Sequence, residues 1–167
     1  MSAEANKAAV RGGIEKVWNE NNWAAAVDSY AEDVVVHFGP MPEPIVGRDA
    51  FRVLHEMVHV GFPDYSVTID DIVAEDDRAA ARWTLRATHT GEFNGIPATG
   101  RSVVVEEFSH FRFEDGKAKE IWLMPNLMSQ LQQMGVMPEG PPPKAMLKVM
   151  GLVSKIQRLR GRFSRKR

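Results

Sequence analysis

The sequence contains no cysteine, which excludes disulfides, thiolate metal sites and a cysteine nucleophile together. No apolar run approaches about 18 residues, so no segment is expected to span a bilayer. The opening MSAEANKAAV lacks the basic and apolar blocks of a secretory signal, and a cytoplasmic location is the default expectation. There is no internal repeat. Acidic residues are missing from the C-terminal stretch: all 22 lie at or before Glu139, whereas nine of the 21 basic residues lie from Lys144 onward. Up to position 143, twelve basic side chains face 22 acidic ones, a net −10, and the remainder carries +9. The two parts face different electrostatic tasks.

What is present is ordinary for a folded protein. The 167 residues are 44% hydrophobic and 26% charged, which fits one core and is too apolar for a disordered chain. Residues 1–137 are expected to form one domain, 138–143 a stiff proline-rich linker, and 144–167 a basic tail.

Helical spacing of Val10, Ile14, Val17 and Trp18 predicts a helix over 4–21, broken by Asn21-Asn22. A second helix is expected at 23–31, then a short β-branched strand from Val34 to Phe38. The loop from Gly39 to Gly47 holds three prolines. A third helix is expected at 48–60, stopped by Gly61 and Pro63. Four strands follow at 65–74, 78–90, 102–114 and 117–124, separated by Asp76-Asp77, Gly91 to Gly100 and Asp115-Gly116. A short helix is expected at 126–134. Helices gathered on one side of a curved antiparallel sheet define an α+β fold.

Side chains alternate between the faces of a strand, so parity assigns an inside. In 102–113 the more apolar set is Val103, Val105, Glu107, Ser109, Phe111 and Phe113. In 78–90 it is Ala79, Ala81, Trp83, Leu85, Ala87 and His89, with the arginines and threonines outside. Ile121 and Leu123 face inward from the last strand. Trp122 and Met124 then point outward, as expected if a second copy covers them. If Asp115-Gly116 sets the register, Phe111 faces Ile121 and Ser109 faces Leu123. Three polar groups, His89, Glu107 and Ser109, interrupt the inner face. A carboxylate among apolar neighbours is costly to ionise, so the pKa of Glu107 should rise, as suits a general acid or base. The plainer alternative is a glutamate satisfied by a hydrogen bond or reaching water at the open end.

The stretch FPDYSVTIDDIVAEDDRAAARWTLRATHTGEFNGIPATGR, with HFRFEDGKAKEIW and LMSQLQQMG after it, resembles the SnoaL-like polyketide cyclase (ester cyclase) family over about residues 4–138. The resemblance implies the nuclear transport factor 2-like fold, a cone of curved sheet packed on three helices. It also implies cofactor-free ring closure by aldol chemistry on a bulky apolar carbonyl compound, which needs an acid/base group and oxyanion donors. The family's usual aspartates fall at Leu123 and Asn126, so both acids are missing here. Two readings stand. Either the acid/base work has moved to Glu107, or the domain is a non-catalytic module for hydrophobic-ligand binding or dimerisation. For an enzyme, Glu107 is the expected catalytic residue and no cofactor is required. Ser109, His89 and His37 would orient substrate or stabilise an enolate, unless the histidines are simply hydrogen-bonded core or rim residues. Trp83, Leu85, Phe111, Leu123 and Asn126 complete the expected substrate contacts.

His55-Glu56-Met57-Val58-His59 matches the H-E-x-x-H zinc signature, which puts two imidazoles on one helical face. Catalytic zinc also needs a third protein ligand. The extended motif would have Gly at Phe62 and His at Tyr65, and the helix ends at Gly61. No metal is expected. Beyond the linker, Met146, Val149, Val153, Ile156 and Leu159 recur at helical spacing among nine basic residues. Such a basic amphipathic helix can lie on an anionic membrane, giving a peripheral location, or dock on its own acidic domain. The plainer alternative is a solubilising end. Nucleic acid is not an expected partner, because the domain is acidic and the tail has few stacking aromatics.

Overall fold

Ser2 starts the first helix by accepting the Ala5 N–H at 3.2 Å, satisfying one of the orphan donors of the first turn. In the computed structural model, which describes residues 2–138, helix α1 (Ala3–Gly13) passes into a π-helical stretch from Ile14 to Asn19. The wider turn brings Ile14, Val17 and Trp18 all into the core. The expected linker past Pro138 and the expected basic tail lie outside the described residues.

The second predicted helix is shorter than its spacing implies. A 3₁₀ turn (Trp23–Ala25) and α2 (Ala26–Ser29) end at Tyr30, whose backbone is extended. Tyr30 opens strand β1 (Tyr30–Phe38) by pairing with Ala118, so sheet hydrogen bonding overrides helical spacing there. A short β2 (Ile45–Val46) and helix α3 (Arg48–Gly61) follow. The meander β3 (Ser66–Glu75), β4 (Arg78–Thr88), β5 (Ser102–Glu114) and β6 (Lys117–Met124) leads to α4 (Leu127–Gln133).

The six strands form one sheet in the order β2-β1-β6-β5-β4-β3. Neighbours are antiparallel except that β1 lies parallel to β6. The expected register holds: Phe111 faces Ile121 and Ser109 faces Leu123. The turn that sets it has Asp115 and Gly116 at φ 48° and 86°, the left-handed pair a tight hairpin requires. A bulge at Arg112/Phe113 lets Ala118 face inward together with Ile121.

The core lies between the concave face of the sheet and the helices. Val103, Val105, Phe111, Phe113, Ala79, Ala81, Trp83, Leu85 and Ala87 are all buried, as parity predicts. Thr84 is buried too, but on the outer face, where its hydroxyl donates to Asp70 at 2.7 Å. Two side-chain amides finish the sheet where strands run out. Asn19 accepts from the Val67 N–H at 2.8 Å and donates to its carbonyl at 3.0 Å along the free edge of β3. Gln133 does the same for Val104 of β5, at 2.8 Å in each direction. Each amide stands in for one residue of an absent neighbouring strand.

Candidate functional site

A hollow opens between the sheet and the helices, with about 780 Å³ of unfilled space when its mouth is counted. Trp18, Phe51, Phe62, Tyr65 and Phe93 wall it from the helices and loops, and Tyr30 from the start of β1. Trp83, Leu85, Glu107, Phe111, Ile121 and Leu123 wall it from the sheet, and Gln130 comes from α4. Glu107 is the single charged side chain among the described residues that line it. Burial pushes its carboxyl above the ordinary range, and a hydrogen bond from Trp83 Nε1 to Oε2 at 3.3 Å works against that rise.

The geometry follows from register. Glu107 and Trp83 are directly paired across β4 and β5. Glu107 also lies one residue beyond Phe108↔Met124, the last β5–β6 pair. Past that point Pro125 and α4 replace the strand, because proline has no N–H to extend the ladder. The carboxylate therefore sits where β5 and β6 part, on the wall of the hollow.

Of the residues predicted from sequence, Glu107, Trp83, Leu85, Phe111 and Leu123 come together around the hollow. The other four do not line it. Ser109 is buried between its partners Ala81 and Leu123, and its hydroxyl has no partner among the described residues. His89 is fully buried against Phe62, with ring centroids 5.1 Å apart. Its Nδ1 accepts from the Thr99 N–H at 3.3 Å and lies 3.1 Å from the Thr99 hydroxyl, fastening the loop that carries Phe93. His37 is on the opposite face of the sheet. Alternation with the buried Val34 and Val36 turns it outward, where it stacks on Trp122 at 5.1 Å and meets Glu120 at 2.9 Å. Asn126 is exposed and caps α4 by accepting from the Ser129 N–H at 3.3 Å.

Sequence reasoning missed Tyr65 and Gln130. Tyr65 has the parity of the buried Val67, which was the available signal; Gln130 sits on a helix too short for its facing to be read. The H-E-x-x-H pair is packed into the core instead. His55 Nε2 bonds the Val17 carbonyl at 2.9 Å, and the two imidazole centroids lie 4.4 Å apart beneath Trp18. Burial, and then the neighbouring His55, hold His59 down at a pKa of about 4. Among the described residues no group of three or more histidine, aspartate or glutamate side chains is arranged to hold a metal. No described helix is long and apolar enough to cross a membrane.

A curved α+β cone with helices on its concave side and a hollow at its open end is a nuclear transport factor 2-like architecture. Residues 8–134 match the SnoaL-like polyketide cyclase family, and the chain belongs to that family. Solved structures agree. AclR of Streptomyces galilaeus, described as a candidate hydroxylase, is 28% identical with a TM-score of 0.73, covering 96% of this chain and 98% of its own. IdmH of Streptomyces antibioticus, described as a candidate polyketide cyclase, is 27% identical with a TM-score of 0.69, over 78% of this chain and 98% of its own. TsrD of Streptomyces laurentii is 25% identical with a TM-score of 0.74, over 82% and 99%. No curated protein matches the chain.

Proposed function

We propose that this protein takes an apolar carbonyl compound of the polyketide kind into its hollow and moves a proton at the carbon beside the carbonyl. Glu107 is the acid/base group, no cofactor takes part, and the resulting enolate closes a ring or shifts a double bond. One observation carries the reading: a lone carboxylate, raised in pKa by burial, set among aromatic walls. A base in such surroundings is thinly solvated, and its pKa is drawn toward the working pH, where general acid–base catalysis is most effective. Relatives described as a cyclase and a hydroxylase are compatible with a shared carbonyl chemistry on one scaffold.

A second reading is favoured by the residues at the family's acidic positions. Leu123 faces the hollow without a proton to move, and Asn126 is occupied as a helix cap. In that case the cone holds its ligand without turnover. Deuterium exchange at the α-carbon of 1-tetralone, followed by proton NMR in D₂O, separates the two. The enzyme reading expects acceleration by the native protein and none by Glu107→Gln, with tetralone binding retained. Tetralone bound with no acceleration by either protein selects the carrier, and equal acceleration by both removes Glu107 as the base.

A further inference from the structure

We infer that Tyr65 is a second catalytic residue, donating its phenolic hydrogen to the substrate carbonyl oxygen while Glu107 removes the neighbouring proton. This assignment rests on the reading above. Tyr65 and Glu107 line the same hollow, the tyrosine just ahead of β3 and the glutamate on β5. The backbone leading into Tyr65 is pinned twice. The Tyr65 N–H donates to the Phe62 carbonyl at 3.1 Å, and Asp64 accepts the Thr88 N–H at 2.6 Å, tying the loop to the end of β4. The ring is held by Trp18 and His59, with centroids at 5.7 and 5.4 Å. An aromatic donor fixed in this way needs little reorganisation when charge develops on an oxygen beside it.

Two phenols line the hollow, and they are not equivalent. The Tyr30 oxygen already accepts from Trp18 Nε1 at 3.0 Å. The Tyr65 hydroxyl has no hydrogen-bond partner among the described residues. Burial, and then the nearby Glu107 carboxylate, hold its proton on well above the ordinary phenol range. It is therefore a donor throughout the neutral range and cannot compete with Glu107 as base. Glu107 keeps Oε1 for the reaction, since Oε2 is engaged by Trp83.

The step balances without any added reagent. The C–H electron pair becomes the new C=C bond, the carbonyl π pair moves to oxygen, and the proton moves to Glu107. The oxygen takes up negative charge under the Tyr65 O–H, which stays covalently intact. Attack of the enolate carbon on a second carbonyl then closes the ring, and the Glu107 acid returns its proton to the new alkoxide.

The test combines infrared difference spectroscopy of carbonyl-¹³C 1-tetralone bound to the protein with α-deuteration of the same ketone. A hydrogen bond lowers the carbonyl stretch, and this readout requires no turnover. The stretch should be lowered in the native protein and in Glu107→Gln, and return to its apolar-solvent value in Tyr65→Phe. Exchange should fall about 10²-fold in Tyr65→Phe with KM little changed, the loss typical of one oxyanion donor. A lowered stretch that survives Tyr65→Phe, or vanishes in Tyr30→Phe instead, overturns the assignment. A Tyr65-dependent stretch without Glu107-dependent exchange refutes the acid–base reading and leaves Tyr65 a binding contact only. Absence of any bound carbonyl band refutes both.

Discussion

Trp83 Nε1 donates to Glu107 Oε2 at 3.3 Å from the directly opposite position on the neighbouring strand. The bond favours the ionised carboxylate against the burial that disfavours it. Trp83→Phe keeps an aromatic wall and removes the donor, so the Glu107 pKa should rise further. The carboxylate acts as base only when ionised, so the acid limb of the pH–rate profile for tetralone exchange should move to higher pH. An unmoved limb would mean that the indole has no hold on the reacting carboxylate.

Glu107 should also cost stability. Its folded-state pKa lies above the unfolded value, so the penalty is full at high pH and disappears as pH falls through the folded pKa toward the unfolded one, near 4.5. Glu107→Gln should therefore melt higher than the native protein at pH 8, by about 2–4 °C for each kcal/mol of relief. The difference should shrink on acidification. Thermal unfolding of the pair across pH 4.5–8 measures it, and a variant that melts lower throughout contradicts the buried-charge account.

His59 acts in the other direction. It is held neutral at a pKa of about 4, against an ordinary value near 6.5. The unfolded chain binds the proton more readily, so stability should drop as pH falls from about 6.5 toward 4 and then level off. His59→Phe preserves a ring against Trp18 and Tyr65 while removing the titration. Its urea-unfolding free energy should depend less steeply on pH across that window.

Gln133 makes two hydrogen bonds to the backbone of Val104. Gln133→Ala should cost about 1–3 kcal/mol, at roughly 0.5–1.5 kcal/mol for each bond. The local signature should be sharper than the global one. Amide exchange at Val104 should accelerate while that at Val105, whose partner is Leu85 on β4, stays protected.

The outer face of the sheet presents Phe108 and Met124 at 57% and 59% exposure, beside the stacked His37–Trp122 pair and the tilted ring of His110. Arg82 is paired with Asp70 and Glu106 on the same face. Light scattering during gel filtration should report a dimer for the native chain and a monomer for the Phe108→Glu, Met124→Lys double variant. A native monomer at high concentration would remove the second copy from the account.

The inner face of the meander was readable because strand parity and the Asp-Gly turn are local signals, and five of the nine proposed site residues meet where parity placed them. Tyr30 misled because helical spacing cannot register a parallel partner 88 residues downstream. The outward turn of His37 is carried by parity, since Asp33, Val35 and His37 alternate with Val34, Val36 and Phe38, whereas the family resemblance pointed it at the pocket. Asn19 and Gln133 could not be read at all. Nothing in a sequence marks an amide whose partner is the backbone of a distant strand.

Because β6 stops at Met124, the wall beside Glu107 passes from strand to Pro125 and then to Gln130 of α4. Adding two residues to that strand should narrow the hollow beside Glu107, and removing two should widen it. Small insertions and deletions near Pro125 can therefore change the space beside this strand end while every wall residue stays the same.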